Sequence, residues 1–103
     1  MNDLLRFKHN QNYIVIDTET EGLNLTSSKP WQASWVICRG NKIISKHDHF
    51  IRWDDISVSA DAARITGFDK DHYYSKAEDP MLVLDKLSKY LYDPSFLIIG
   101  QIY

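Results

Sequence analysis

Hydrophobic and polar positions change their period along this chain, and each change marks an element. Tyr13-Ile14-Val15-Ile16 is an apolar run that passes straight into Asp17-Thr18-Glu19-Thr20-Glu21 and breaks at Gly22-Leu23. That pattern predicts a buried strand over residues 13–17 that delivers acids at its C-terminal end. Residues 20–30 contain Gly22, Asn24, Ser27, Ser28 and Pro30 and predict a loop. Trp31 to Arg39 alternates and carries aromatic and β-branched residues, so a second strand is expected there. Gly40-Asn41 is a tight-turn pair, and Lys42 to Trp53 then reads as a third strand, antiparallel to the second. Residues 2–9 predict only a short helical turn or a loose lead-in.

Asp54 to Ser57 reads as a loop, and the period lengthens after it. Ser59 is placed to cap a short helix that Thr66-Gly67 closes, and Asp69 to Ser75 predicts another short turn of helix. Asp79-Pro80 opens a stronger helix over 80–92, with an acidic cap and proline at its first position. Leu84, Leu87 and Leu91 mark its apolar side, flanked by Val83 and Tyr90, while Lys86 and Lys89 face solvent. Asp93-Pro94 ends it. Phe96-Leu97-Ile98-Ile99 is a continuous apolar run, the pattern of a strand over 96–100 covered on both faces. The order strand, hairpin, helices, strand describes an α/β fold with a mixed sheet. Three strands are antiparallel, and a helical crossover lets the fourth lie parallel to the first. An apolar strand left bare is an aggregation hazard, so these residues are expected to belong to a longer domain or to be completed by a partner.

Composition narrows the function without naming it. With 103 residues, 44% hydrophobic and 25% charged, the chain is expected to form one globular domain. A formal net charge of −2 excludes polyanion binding through a broad basic surface. It leaves open an enzyme that meets nucleic acid through bound cations, because these invert the local field. Cys38 is alone, so neither an internal disulfide nor a cysteine-based zinc site is expected, and it reads as a small core residue. The first residues lack the apolar core of a signal peptide, and no apolar run approaches the ~20 residues that span a bilayer. A cytoplasmic protein with no membrane partner is therefore expected.

The chemistry concentrates at the end of the first strand. Side chains alternate along a strand, so Asp17 and Glu19 point the same way, with Cα atoms roughly 6.6 Å apart at a rise of about 3.3 Å per residue. Two carboxylates that close repel, which raises the pKa of at least one of them. A hard divalent cation such as Mg²⁺ or Mn²⁺ relieves the repulsion. With 14 acids in 103 residues, roughly two acid-x-acid pairs arise by chance. Asp69-Lys70-Asp71 is another such pair, without a strand behind it. The apolar run leading into Asp17 and the glycine after Glu21 set the first pair apart. Glu21 itself reads as a loop acid. His47 and His49 share a strand face with Ile51 and Trp53, but no third ligand makes them a zinc site, and they read as polar residues of a solvent-facing strand. Trp31, Trp35 and Trp53 have the shape to stack on bases, although aromatic residues on strands more often pack into a core.

Taken together, these pieces resemble the DEDD superfamily of 3′–5′ exonucleases, which has a ribonuclease H-like fold and includes the DnaQ group and DNA polymerase proofreading domains. Val15-Ile16-Asp17-Thr18-Glu19-Thr20-Glu21-Gly22-Leu23 is similar to the first exonuclease motif, an apolar strand ending in D-x-E-T followed by a leucine. Ala63-Arg64-Ile65-Thr66-Gly67-Phe68 resembles the helix-to-glycine segment of DnaQ-type members, and Phe96 to Ile102 resembles the start of the second motif. The resemblance implies metal-dependent hydrolysis of a phosphodiester at a single-stranded or frayed 3′ end, of DNA or alternatively of RNA as in oligoribonuclease-like members. It implies two Mg²⁺ or Mn²⁺ ions, with Asp17 and Glu19 as metal-binding catalytic residues. Thr20 and Leu23 match positions that meet the 3′-terminal nucleotide, and an attached or associated DNA polymerase is an implied partner. Two of the family's four acids have counterparts here; the second motif's aspartate would fall beyond Tyr103, and Gly100-Gln101 stands where many members have His-Asn. A non-catalytic ribonuclease H-like module completed by a partner chain is the rival expectation.

Overall fold

The structure, a computed structural model, describes residues 10–22 and 28–102, with the side chains of 101 and 102 excepted. Its elements are β1 (Asn12–Thr20), β2 (Pro30–Arg39), β3 (Lys42–Phe50), α1 (Ala60–Thr66), α2 (Lys70–Lys76), α3 (Pro80–Leu91) and β4 (Phe96–Ile102). They form one four-stranded sheet in the order β3-β2-β1-β4. β1 and β2 are antiparallel, β2 and β3 are antiparallel, and β4 is parallel to β1. The mixed α/β arrangement expected from the order of elements is the one observed. Gly40 turns the β2–β3 hairpin at φ 58°, a conformation that side chains with a Cβ disfavour.

The helices start and stop where the sequence signals say. Ser59 accepts from the Ala62 amide, Asp69 from that of Asp71, and Asp79 from that of Met81, so all three caps satisfy otherwise orphaned donors. Gly67 closes α1 in the left-handed region at φ 79°.

Register partners in adjacent strands share a face, which sorts the sheet into two. Ile14 and Ile16 of β1 lie with Ile37 and Trp35 of β2 on the face that α3 covers. Ile14, Ala33, Trp35, Ile37, Ile51 and Val83 form the main core, and Trp31, Ile56 and Tyr73 form a second cluster under α2. All three tryptophans pack into or against these cores. The Tyr73 hydroxyl ties α2 to the end of β3: it donates to the Ile51 carbonyl and accepts from the Trp53 amide at 2.8 Å. Among the described residues no helix is long and apolar enough to cross a membrane.

Four expectations are corrected. β1 continues past residue 17 to Thr20, because β2 supplies partners as far as Gln32 and Pro30. β3 stops at Phe50 rather than at residue 53. Beyond it Ile51 N still donates to Trp31 O at 2.9 Å, but the chain also turns onto Glu78: Ile51 bridges to Glu78, Glu78 N donates to Phe50 O and Arg52 N to Glu78 O, each at 2.8 Å. α3 ends at Leu91, and its buried face is Val83, Leu87 and Tyr90, whereas Leu84 is 49% exposed. Two overlapping stripes are available at helical spacing. The bridge at Glu78 lies one residue before the cap, and the helix packs its Val83, Leu87 and Tyr90 stripe on the sheet core. Finally, β4 extends to Ile102 and is not covered on both faces. It is the sheet's edge, and Leu97, Ile98 and Ile99 are 50%, 52% and 42% exposed.

Removing the Tyr73 hydroxyl would leave a buried carbonyl and an amide without their partner. Tyr73→Phe is expected to lower unfolding stability by about 1–3 kcal/mol, read as a lower urea midpoint with an unchanged slope.

Candidate functional site

The candidate site is the C-terminal half of β1. Asp17 is in register with Ser34 and Glu19 with Gln32, so alternation puts both acids on the face opposite to α3. The sheet therefore brings together the two acids that the sequence singles out. Asp17 Oδ1 and Glu19 Oε2 are both shut off from solvent, and neither has a hydrogen-bond partner among the described residues. Buried polar atoms are rarely left this way, and such an atom costs free energy unless a ligand satisfies it. Burial pushes the Glu19 carboxyl above the ordinary glutamate range, and the Asp17 charge pushes it further.

These features fit a hard cation. Two adjacent carboxylates with unoccupied inner oxygens supply the donor type that Mg²⁺ and Mn²⁺ favour. Among the described residues no group of three or more His, Cys, Asp or Glu side chains is placed to hold a metal. Asp17 and Glu19 can therefore supply part of such an ion's coordination, with water or further ligands supplying the rest.

The surrounding chain holds this strand end in place. Trp31 Nε1 donates to the Thr20 carbonyl at 3.2 Å, and the Thr20 hydroxyl donates to the Gly22 carbonyl at 2.8 Å. Thr20 is thus a buried residue of the turn. Leu23, its companion in the nucleotide-binding expectation, lies outside the described residues. Glu21 is more than a loop acid. Its carboxylate accepts from the Lys29 amide at 2.9 Å and the Ser57 amide at 2.7 Å, and pairs with Lys29 Nζ at 3.1 Å. Burial raises its pKa, but these amides and the Lys29 ammonium outweigh that and leave it below the usual range. Nothing local in the sequence points to Ser57 as its partner.

His47 and His49 are likewise only partly exposed. Both rings stack on Trp35, with centroids 5.4 and 4.9 Å away, and His49 pairs with Glu78, which also holds Lys86 at 2.8 Å. The Lys86 and His49 contacts hold the Glu78 carboxyl below its usual range. A signal is present in the sequence: the two histidines alternate with Lys46 and Asp48 and share their face with Ile51. A cavity of about 290 Å³ beside this cluster is lined by Asp48, Phe50, His72 and Lys76 among others. A smaller one of about 130 Å³ lies between Gln32 and the Gly67-Phe68 segment.

No family model matches the chain, and no curated protein matches it in sequence. Solved structures of exonuclease I do match. An inhibitor complex aligns with a TM-score of 0.77 at 20% identity, over 90% of this chain and 21% of that one. A product-bound structure gives 0.76 at 19% identity, over 88% and 22%. E. coli exonuclease I with an oligonucleotide gives 0.75 at 18% identity, over 86% and 20%. The described fold is thus of the ribonuclease H-like α/β kind found in exonuclease I, and the chain spans about a fifth of the length of these proteins.

The raised Glu19 pKa has a definite sign. The native carboxyl holds its proton more tightly than the unfolded one, so ionised Glu19 destabilises the fold above its native pKa. The penalty fades as pH falls through that value. Glu19→Gln is expected to raise the melting temperature of the metal-free chain at neutral pH, with the gain shrinking toward pH ~4.3, the unperturbed glutamate value. Calorimetric scans across that range check it.

Proposed function

We propose that this chain carries the first acidic motif of a metal-dependent 3′–5′ exonuclease of the DEDD type. Its reaction is hydrolysis of the terminal phosphodiester of a nucleic acid 3′ end, releasing a nucleoside monophosphate. The observation that carries this reading is the acid pair: Asp17 and Glu19 share one face at the end of a central strand, each with a buried oxygen that no described residue satisfies. The exonuclease I-like sheet around it supports the same reading without deciding it, because folds host many functions and sites decide among them. Asp17 and Glu19 would hold Mg²⁺ or Mn²⁺, and in the two-ion scheme such ions activate a water and stabilise the leaving 3′ oxygen. The chain's own contribution is to hold Asp17 where β1 is paired on both sides and Glu19 two residues on, paired with Gln32 of β2. Single-stranded DNA is the proposed substrate, supported by the oligonucleotide bound in E. coli exonuclease I. Thr20 and Leu23 are proposed to meet the 3′-terminal nucleotide, Leu23 by packing on the base.

A second reading is favoured by one observation. β4 pairs only with β1 among the described strands, and its Leu97, Ile98 and Ile99 are half exposed. In this reading the chain is a non-catalytic module whose β4 edge receives a strand from a partner chain.

Two measurements separate these readings. Asp17→Asn and Glu19→Gln in the intact protein are each expected to lower Mn²⁺-dependent release of nucleoside monophosphate by at least about a hundredfold, since losing even an outer-shell partner of a metal costs about 10–100-fold. Full rates in both variants would sink the site. In analytical ultracentrifugation, the second reading expects the chain to self-associate or precipitate as its concentration rises, through the bare β4 edge. A stable monomer at high concentration counts against it.

A further inference from the structure

The acid pair has two hydrogen-bond donors directly across the sheet, and neither of them serves it. Ser34 faces Asp17 and Gln32 faces Glu19 in the β1–β2 register. Opposed residues of an antiparallel pair have Cβ atoms about 4.5–5.5 Å apart, close enough for a hydroxyl or amide to reach a carboxylate. Both donors turn the other way. Ser34 Oγ donates to Asp48 Oδ1 at 2.9 Å, and Gln32 Nε2 donates to the same oxygen at 2.8 Å. Asp48 faces Ser34 from β3, so the polar row Asp17, Ser34, Asp48 crosses three strands on one face. The middle residue bonds outward, and Asp17 Oδ1 and Glu19 Oε2 remain without partners among the described residues.

We propose that Asp48 is a positioning residue for the acid pair: it holds Ser34 and Gln32 toward the sheet edge and so keeps the inner oxygens of Asp17 and Glu19 available to a divalent cation. The inference rests on the metal-site reading above. Its physical basis is competition for lone pairs. A carboxylate oxygen that accepts from a neighbouring hydroxyl or amide must give up that bond before it can enter a cation's coordination shell. Asp48 is exposed, so water shares in its solvation and it accepts both donors at little desolvation cost to the fold. A purely electrostatic role would be simpler: one more negative charge near the site would draw a cation through the field alone. The two roles give different results once the donors are removed as well.

Mn²⁺ binding to the full chain, read by titration calorimetry, is compared for wild type, Asp48→Ala, and Asp48→Ala combined with Gln32→Leu and Ser34→Ala. Asp48→Ala is expected to weaken binding about fivefold, because the released donors now bond the acids. The triple variant is expected to return to within about twofold of wild type, because no donor remains to compete. A triple variant as weak as Asp48→Ala would assign the effect to charge and overturn the proposal, as would unchanged binding in Asp48→Ala. A crystal structure of metal-free Asp48→Ala tests the geometry separately. Gln32 Nε2 and Ser34 Oγ are expected within hydrogen-bond distance of Glu19 and Asp17, and donors still turned away would overturn the proposal. If they do turn but wild type binds no Mn²⁺, the metal-site reading fails while the hydrogen-bond assignment stands.

Discussion

Everything in this molecule depends on β1 being paired on both sides. From Asn12 to Thr18 each of its residues has a register partner in β2 and another in β4. Because side chains alternate with a period of two, a slip of one residue would send Ile14 and Ile16 outward and the acids into the core. The burial of Ile14 against Trp35, Ile37 and Val83 excludes that slip. The same contacts that make the core therefore also decide which face the acids occupy, so site and core cannot be varied independently.

The acid pair is a local cost that the rest of the fold holds in place. Its inner oxygens lie buried without partners among the described residues, and burial together with the Asp17 charge disfavours ionised Glu19. A strand end free to fray would relieve this by moving the carboxylates into water. Here it cannot: the indole of Trp31 bonds Thr20 O, Glu21 is clamped between Lys29 and Ser57, and Trp53 Nε1 donates to Pro30 O at 2.6 Å. A charged position held in an unfavourable setting by its surroundings is common where a structure must be ready for a ligand. The likeness to exonuclease I at 20% identity shows how little of the sequence the fold demands, and leaves the case for chemistry to these few side chains.

Much of this is legible along the chain. The caps at Ser59, Asp69 and Asp79, the turn at Gly40 and the stop at Gly67 are local hydrogen-bond and steric effects, so local sequence suffices to find them. The acid pair is legible for the same reason, since alternation along one strand is a local rule. Local sequence misses the partners that lie far away. His49 finds Glu78, 29 residues on, and Glu21 finds Ser57, 36 residues on. The phase of α3 escapes it too, because Val83 and Leu84 both begin acceptable apolar stripes, and only the packing of the helix on the sheet core chooses between them.

By itself, the sequence determined the kind and order of the elements and put Asp17 and Glu19 on one face at the end of the first strand, because backbone geometry converts spacing into direction. Only the tertiary structure decided which of their oxygens stay empty. Ser34 and Gln32 had two acceptors within reach, the acid pair on one side and Asp48 on the other, and the register of β2 against β1 and β3 is what set them in competition.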